Sequence, residues 1–335
     1  MDVRSVLSDR ADYAVVVVLA VLAAIVPLVT PSGFVNKLLV QMFIYVGLVA
    51  TWNLIGYTGY INFGQAAFYG LGAYVLGLSV AVAHLPVVLG VVLAGVITAL
   101  LGLVMGAITM KLSGHYFSIS TLLMLIITTV VFSNLGDFVP STGSEITLPI
   151  ATFGFADADT VFYYLLFLVA LGLVVFSIWL ERTKWGYGMK AISEDEDIAR
   201  SLGVSTLRLK VLSMVLSGFG AGVVGGIYAY NIGYIDTSIY FGLTLTFLIV
   251  FMGFVGSVGR WYGPLVGVLL FVPADQILTY NVSPEIARIG FGAIFVVVML
   301  LLPQGLGRFV AERVRDRRSA RTGSGGRDAP AESSD

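Results

Sequence analysis

The sequence predicts an all-α polytopic membrane protein with about ten transmembrane helices, and three observations carry that expectation. Hydrophobic residues make up 58% of the 335-residue chain and charged residues 12%, with a mean hydropathy of +0.94, which leaves too few polar groups to coat a particle in water. Apolar stretches long enough to cross roughly 30 Å of hydrocarbon as helices recur along nearly the whole chain. The Lys and Arg residues are also sorted between alternate connecting segments, as the positive-inside rule requires.

Taken in order, the predicted spans are 14–30, 36–56, 65–84, 86–110, 116–135, 160–180, 209–232, 241–256, 262–280 and 286–302. The first follows a short charged segment, 1–13, and reads as an uncleaved helix, because AAIVPLVTPSGF offers no clear small-residue cleavage site and a second span follows quickly. Little more than His84 and Pro86 separates the third and fourth, and 241–256 is short. With the N-terminus in the cytoplasm, inner segments collect Arg4, Arg10, Lys111, Arg182, Lys184, Lys190, Arg200, Arg208, Lys210, Arg260 and the basic residues from Arg308 onward. Only Lys37 and Arg288 fall outside, so both termini are expected to be cytoplasmic. The organisation is a transmembrane domain over 14–307, including an inner loop at 181–210, and a tail over 308–335. That tail begins basic, suited to anionic headgroups, and ends in Ser, Gly, Pro and acid too polar to order itself.

Several chemistries have no residues to support them. There is no cysteine for disulfide or thiol chemistry, no GxxxxGK[ST] phosphate loop and no HExxH. The two histidines, His84 and His115, sit near opposite faces, so neither a metal site nor a Ser-His-Asp hydrolase is expected. No catalytic residue, bound cofactor or nucleic-acid partner is predicted, and the surrounding partner is membrane lipid. Energy for any transport must come from an ion gradient or another subunit. Gradient-driven carriers commonly keep ionisable relays at mid-membrane, and these spans almost lack them. Asp275, in FVPADQILTY, is the main exception and a candidate for facing a solute path nearer the outer end.

The inner loop ERTKWGYGMKAISEDEDIARSLGVSTLRLK carries the most local signal. Ser193 and Glu196 have capping-box spacing, while Glu194 and Asp195 add negative charge to the first turn and Gly203 supplies a stop. A helix of about two to three turns with Ile198, Ala199 and Leu202 on one stripe is expected between them. It covers that stripe against the protein's own helix ends, against the membrane, or by docking a cytoplasmic partner. The outer loop, 134–160, carries Asp137, Glu145, Asp157 and Asp159 without Lys or Arg, and reads either as a solvated cap or as a receiver of a partner or solute.

The stretch NLIGYTGYINFGQAAFYGLGAY, from Asn53, combines Gly56, Gly59, Gly64, Gly70 and Gly72 with Asn53, Asn62 and Gln65. Small residues let helices pack closely in lipid, and buried amides must point into the bundle or a wet cavity. A later series, Gly253, Gly256, Gly259, Gly263 and Gly267, is a weak sign of an internal repeat.

These segments together resemble a known family, the inner-membrane permeases of branched-chain amino acid ABC importers, in particular the M-type member of the H/M pair. The resemblance rests on the Asn53 stretch, KLSGHYFSISTL from Lys111, GYGMKAISEDEDIARSLGVSTLRLK from Gly186, GFVGSVGRWYGPLVGVLL and LLPQGLG, and it leaves out the extreme N-terminus and the tail. It implies an ABC importer permease fold, pairing with a second homologous permease, two cytoplasmic ATPase subunits that use ATP and Mg, and an extracellular solute-binding protein. The coupling role then falls on Ser193, Glu194, Glu196, Ala199, Leu202 and Gly203, and the lining or gating of the path on Asn53, Gly59, Asn62, Gln65, Thr121 and Asp275. The sequence departs from the family's usual aspartate at His115, from a frequent glutamate near Ile126, and in the outer STGSEITLPI. Substrate alternatives within the class are urea or short amides. A self-contained secondary transporter or channel is the alternative outside it, and a membrane-embedded enzyme is weaker still.

Overall fold

The computed structural model describes residues 3–29, 33–112, 114–134, 146–148 and 157–281, together with 290. The expected span 286–302, Arg288, Asp137, Glu145 and the tail from 308 lie outside the described residues.

Each predicted span within that range is a helix. They are α1 (Val3–Val29), α2 (Gly33–Gly56), α3 (Gln65–Ala81), α4 (Val87–Thr109), α5 (His115–Ser133), α6 (Ala158–Glu181), α9 (Thr206–Ile232), α11 (Leu243–Gly256) and α12 (Gly263–Asn281). Between them lie the short helices α7 (Lys184–Glu194), α8 (Glu196–Ser201) and α10 (Thr237–Tyr240). Two strands of two residues, β1 (Ile146–Thr147) and β2 (Tyr234–Ile235), pair antiparallel with Ile146 opposite Ile235. Six segments are long and apolar enough to cross a membrane: α2, α4, α5, α6, α9 and the run Thr237–Gly256. Tyr13–Pro27, Gln65–Ala81 and Gly263–Ile277 are shorter apolar stretches.

Helices α2 and α9 form the centre. The second packs against α3, α4 and α2, and α2 also receives α6, α11 and α12. Lipid offers no hydrophobic force between helices, so close fit must hold them. At α9 that fit is made backbone to backbone. A methyl group added at Gly72 would overlap the Gly222 carbonyl, one at Gly225 the Tyr69 carbonyl, and one at Gly218 would sit 2.6 Å from the Thr98 carbonyl oxygen. The later glycine series closes the α11–α12 hairpin, with Gly256 against the Gly263 carbonyl and Gly267 against the Met252 carbonyl, while Gly253 receives the Trp52 ring.

The outer helices are held differently. Tyr163 and Tyr164 of α6 donate to the carbonyls of Ala23 and Ala24 in α1 (2.6 and 3.2 Å), and the Arg182 guanidinium stacks 4.8 Å above the Tyr13 ring. Val88, Leu100 and Val104 of α4 and Ile119, Leu123 and Ile127 of α5 are exposed, as apolar side chains facing hydrocarbon would be.

Candidate functional site

Three connectors meet at one end of the bundle: 57–64 after α2, 182–205 around α7 and α8, and 257–262 between α11 and α12. Their polar groups are tied together. Asn53, in the last turn of α2, donates through Nδ2 to the Arg260 carbonyl and accepts from the Gly259 amide, both at 2.7 Å. The two glycine-rich regions noted in the sequence therefore touch here. Glu181, the last residue of α6, accepts from the Trp261 amide (3.1 Å) and from Tyr57 Oη (3.4 Å), pairs with Lys190 and lies 3.8 Å from Arg260.

The connector 57–64 is irregular, and its backbone is satisfied by buried side chains, which is what permits such a segment in a membrane protein. Asn62 Oδ1 accepts from the Gly64 amide (2.8 Å), its Nδ2 donates to Gln65 Oε1 (3.1 Å), and its carbonyl accepts from Trp52 Nε1 (2.8 Å). Gln65 donates to Thr51 Oγ1 (3.0 Å) and accepts from Ser217 (3.1 Å). Thr121 of α5 accepts from the Phe63 amide at 3.1 Å. Asn53, Asn62, Gln65 and Thr121 are buried, and each is engaged with neighbouring protein rather than with an open space. Gly59 has φ +79, and a Cβ there would stand 2.9 Å from Ser193 Oγ, so glycine lets this connector lie against the end of α7.

The inner loop differs from the single helix expected between Ser193 and Gly203. It folds as two helices broken at Asp195, whose backbone is extended (φ −159, ψ 114). The cap is Asp195 and not Ser193: Asp195 Oδ1 accepts from the amides of Asp197 and Ile198, both at 2.9 Å. Burial of Met189 and Ile192 carries α7 through Glu194, so Ser193 belongs to the preceding helix. Glu196 does not reach back in a capping box. It turns inward to Lys210 Nζ (2.9 Å) and Tyr60 Oη (2.8 Å), and pairs with Arg200 at 3.0 Å. The expected stripe is split as well. Ala199 is buried among Leu54, Tyr57, Met189 and Leu209, whereas Ile198 and Leu202 project outward, 59% and 79% exposed. Gly203 terminates α8 with φ +87.

Electrostatics fix Glu196 in place. Burial raises its carboxyl pKa, but hydrogen bonds from Lys210 and Tyr60 and the charges of Lys210 and Arg200 outweigh that and hold it below the ordinary carboxylate range.

Asp275 lies elsewhere, at the opposite end of the bundle, within electrostatic reach of Tyr45. Its neighbour Gln276 donates to Gln41 of α2 at 2.8 Å. Among the described residues no group of His, Cys, Asp and Glu could hold a metal.

Residues 34–299 match the family model described as branched-chain amino acid transport system, permease component. The chain belongs to this family. The permease is 28% identical over 317 residues to the high-affinity branched-chain amino acid transport system permease protein LivM of Salmonella typhimurium, covering 86% of this chain and 73% of that one. Against the Escherichia coli LivM protein it is 28% identical, covering 87% and 73% of the two chains. LivH of Salmonella typhimurium, also a branched-chain permease protein, is 27% identical over 157 residues, 47% of this chain and 49% of the relative. No solved structure matches the chain. Its relatives are permease components of transport systems rather than enzymes, and with its apolar spans the permease is a multi-pass protein of the cell membrane.

Sequence reasoning overlooked Glu181, Lys210 and Tyr60, the groups that join the connectors. Lys210 was signalled by a cation set within the apolar start of a span, LRLKVLS, where only a partner could keep it.

Proposed function

We propose that the permease forms half of the membrane path of an ATP-driven importer of branched-chain amino acids. It pairs with a second, homologous permease, is driven by two cytoplasmic ATPases and receives solute from an extracellular binding protein. The names of the LivM and LivH relatives support both the solute and the pairing of two permeases. The bundle has ten spans, with the 286–302 segment as the last and both termini in the cytoplasm. The clustering of Lys184, Lys190, Arg200 and Arg260 in connectors, and of Arg208 and Lys210 at the start of α9, at one end supports that orientation.

The observation that carries the reading is the placement of α8. It offers Ile198 and Leu202 outward and is tied inward through Glu196 to Tyr60 on the 57–64 connector and to Lys210 at the start of α9. ATPase closure pushes on Leu202 and Ile198, while Ala199 and Glu196 transmit the push. Ser193, Glu194 and Gly203 set the shape of the loop. Asn53, Gly59, Asn62, Gln65 and Thr121 act as the gate, a clamp whose bonds must exchange partners for the bundle to tilt between two states. Asp275 faces the solute path at the other end.

The test begins with gentle extraction of the tagged chain from its native membrane. Co-purification of a second permease and ATPases, with ATP-dependent leucine uptake after reconstitution, is the expected result. Leu202→Asp, at an exposed position, should insert and assemble normally but lose at least about tenfold of the uptake rate. Uptake driven by an ion gradient without ATPases, or an unaffected Leu202→Asp transporter, would overturn the assignment.

A further inference from the structure

The end of the bundle opposite the charged connectors carries an open cavity of about 660 Å3, within the range of small-molecule sites. Gln41 in its wall is bonded to Gln276, but other polar groups there lack the partners that the network at the other end supplies. Lys37 of α2 and Asp159 of α6 both line it, each still exposed to solvent, and no ion pair joins them among the described residues. Beside Lys37, the Oδ1 atom of Asn36 is buried with no hydrogen-bond partner among the described residues. An acceptor left in that state is costly unless something donates to it. The remaining walls are mainly apolar and aromatic, Ile44, Leu245, Leu248, Tyr45 and Tyr228 among them, with the amides of Gln41 and Asn231 between.

The geometry points to a binding site for a small zwitterion with an aliphatic side chain. Lys37 takes the carboxylate, Asp159 and the Asn36 carbonyl take the ammonium, and the wall at Leu245 and Leu248 covers the aliphatic part. A cavity bearing one cation, one anion and an apolar wall favours the zwitterion over the two half-charged analogues, because each analogue forgoes one of the two charge attractions. The volume exceeds what one such molecule fills, so water shares the site. The inference rests on the amino-acid reading above and adds to it the place of binding and the groups responsible.

The chain contains no cysteine, so Asn231→Cys places a single thiol on this subunit at the cavity wall. The complete transporter carrying it, in lipid nanodiscs, is treated with a water-soluble maleimide, and labelling of this chain is followed by its mass increase. L-leucine should slow labelling by about fivefold or more, whereas 4-methylpentanoate, which lacks the ammonium, and isoamylamine, which lacks the carboxylate, should not. Lys37→Gln and Asp159→Asn should each weaken leucine protection by about fivefold, the effect of one partly solvated ion pair. Lys37→Arg should retain it, which separates lost charge from lost fold. Protection that survives Lys37→Gln, or equal protection by 4-methylpentanoate, would overturn the site. Leucine uptake by the unaltered transporter without any protection would overturn the site alone, and absence of uptake would overturn the transport reading as well.

Discussion

The two ends of α2 differ in how their polar groups are satisfied. Near Gly56, Asn53 makes two hydrogen bonds of 2.7 Å to the 257–262 turn, and its neighbours Asn62 and Gln65 are bonded in series to Thr51 and Ser217. Near Gly33, Asn36 Oδ1 has no partner among the described residues, and Lys37 and Asp159 face one cavity without pairing. One end spends its polar side chains on holding connectors together, while the other leaves Asn36 Oδ1, Lys37 and Asp159 open to something that arrives. The same residue type, asparagine, thus has opposite duties at the two ends of a single helix, fully buried at Asn53 and only partly buried at Asn36.

The largest expected difference between the ends comes from Lys210→Met. It strips Glu196 of a partly buried partner and should cost about 3 kcal/mol, at the low end of what breaking such pairs costs. Amide exchange should rise through 193–205 while thiol labelling at the cavity end stays unchanged; equal loosening of both ends would remove the distinction. Replacing Glu196 by Leu in the same protein should recover most of the loss. Acid probes that contact without mutation. The Glu196 carboxyl lies below its ordinary range when folded, so its contribution is complete above the unfolded value and disappears as pH falls through the folded one. Protection factors over α8, which divide out the base-catalysed intrinsic rate, should fall on that acid limb and remain flat from neutral pH upward.

A smaller effect is expected of Asn53→Ala, about 2 kcal/mol for two lost bonds and the amide and carbonyl left behind, read as a lower apparent melting temperature of the purified protein. The smallest loss is expected of Asn36→Ala, which gives up no hydrogen bond of Oδ1 and removes an unsatisfied acceptor, so the variant should melt no lower than the unaltered protein. An Asn36 variant as unstable as the Asn53 one would mean that the cavity end is structural too.

Much of this was legible beforehand. The spans that became α2, α4, α6 and α9 are predominantly apolar runs of at least 23 residues, and length places them. The amides of the Asn53 stretch were readable as inward-facing because lipid would not tolerate them, but their partners Gly259, Arg260 and Ser217 lie more than 150 residues away and no local pattern names them. In SEDED three residues, Ser193, Asp195 and Asp197, are of capping type, and the choice of Asp195 over Ser193 is made by Met189 and Ile192 packing α7 down to Glu194, a tertiary fact. The cavity had a partial signal. Lys37, Gln41 and Tyr45 recur every four residues and so share a face of α2, a polar stripe in an otherwise apolar span. What faces that stripe, Asp159 and Tyr228, comes from helices whose arrangement only the fold supplies.

The carbonyl contacts of α9 at Gly72, Gly218 and Gly225 leave no cushion of side chains between it and α3 or α4. Side chains can change rotamer when helices slide past one another, but backbones in contact cannot yield. The three helices are consequently one solid spar. Lys210 sits at its foot and Tyr228 and Asn231 near its head, roughly 30 Å apart by helical rise. A stiff spar cannot be pushed at one end and stay still at the other, so any shove delivered at Lys210 arrives as a movement of the cavity wall.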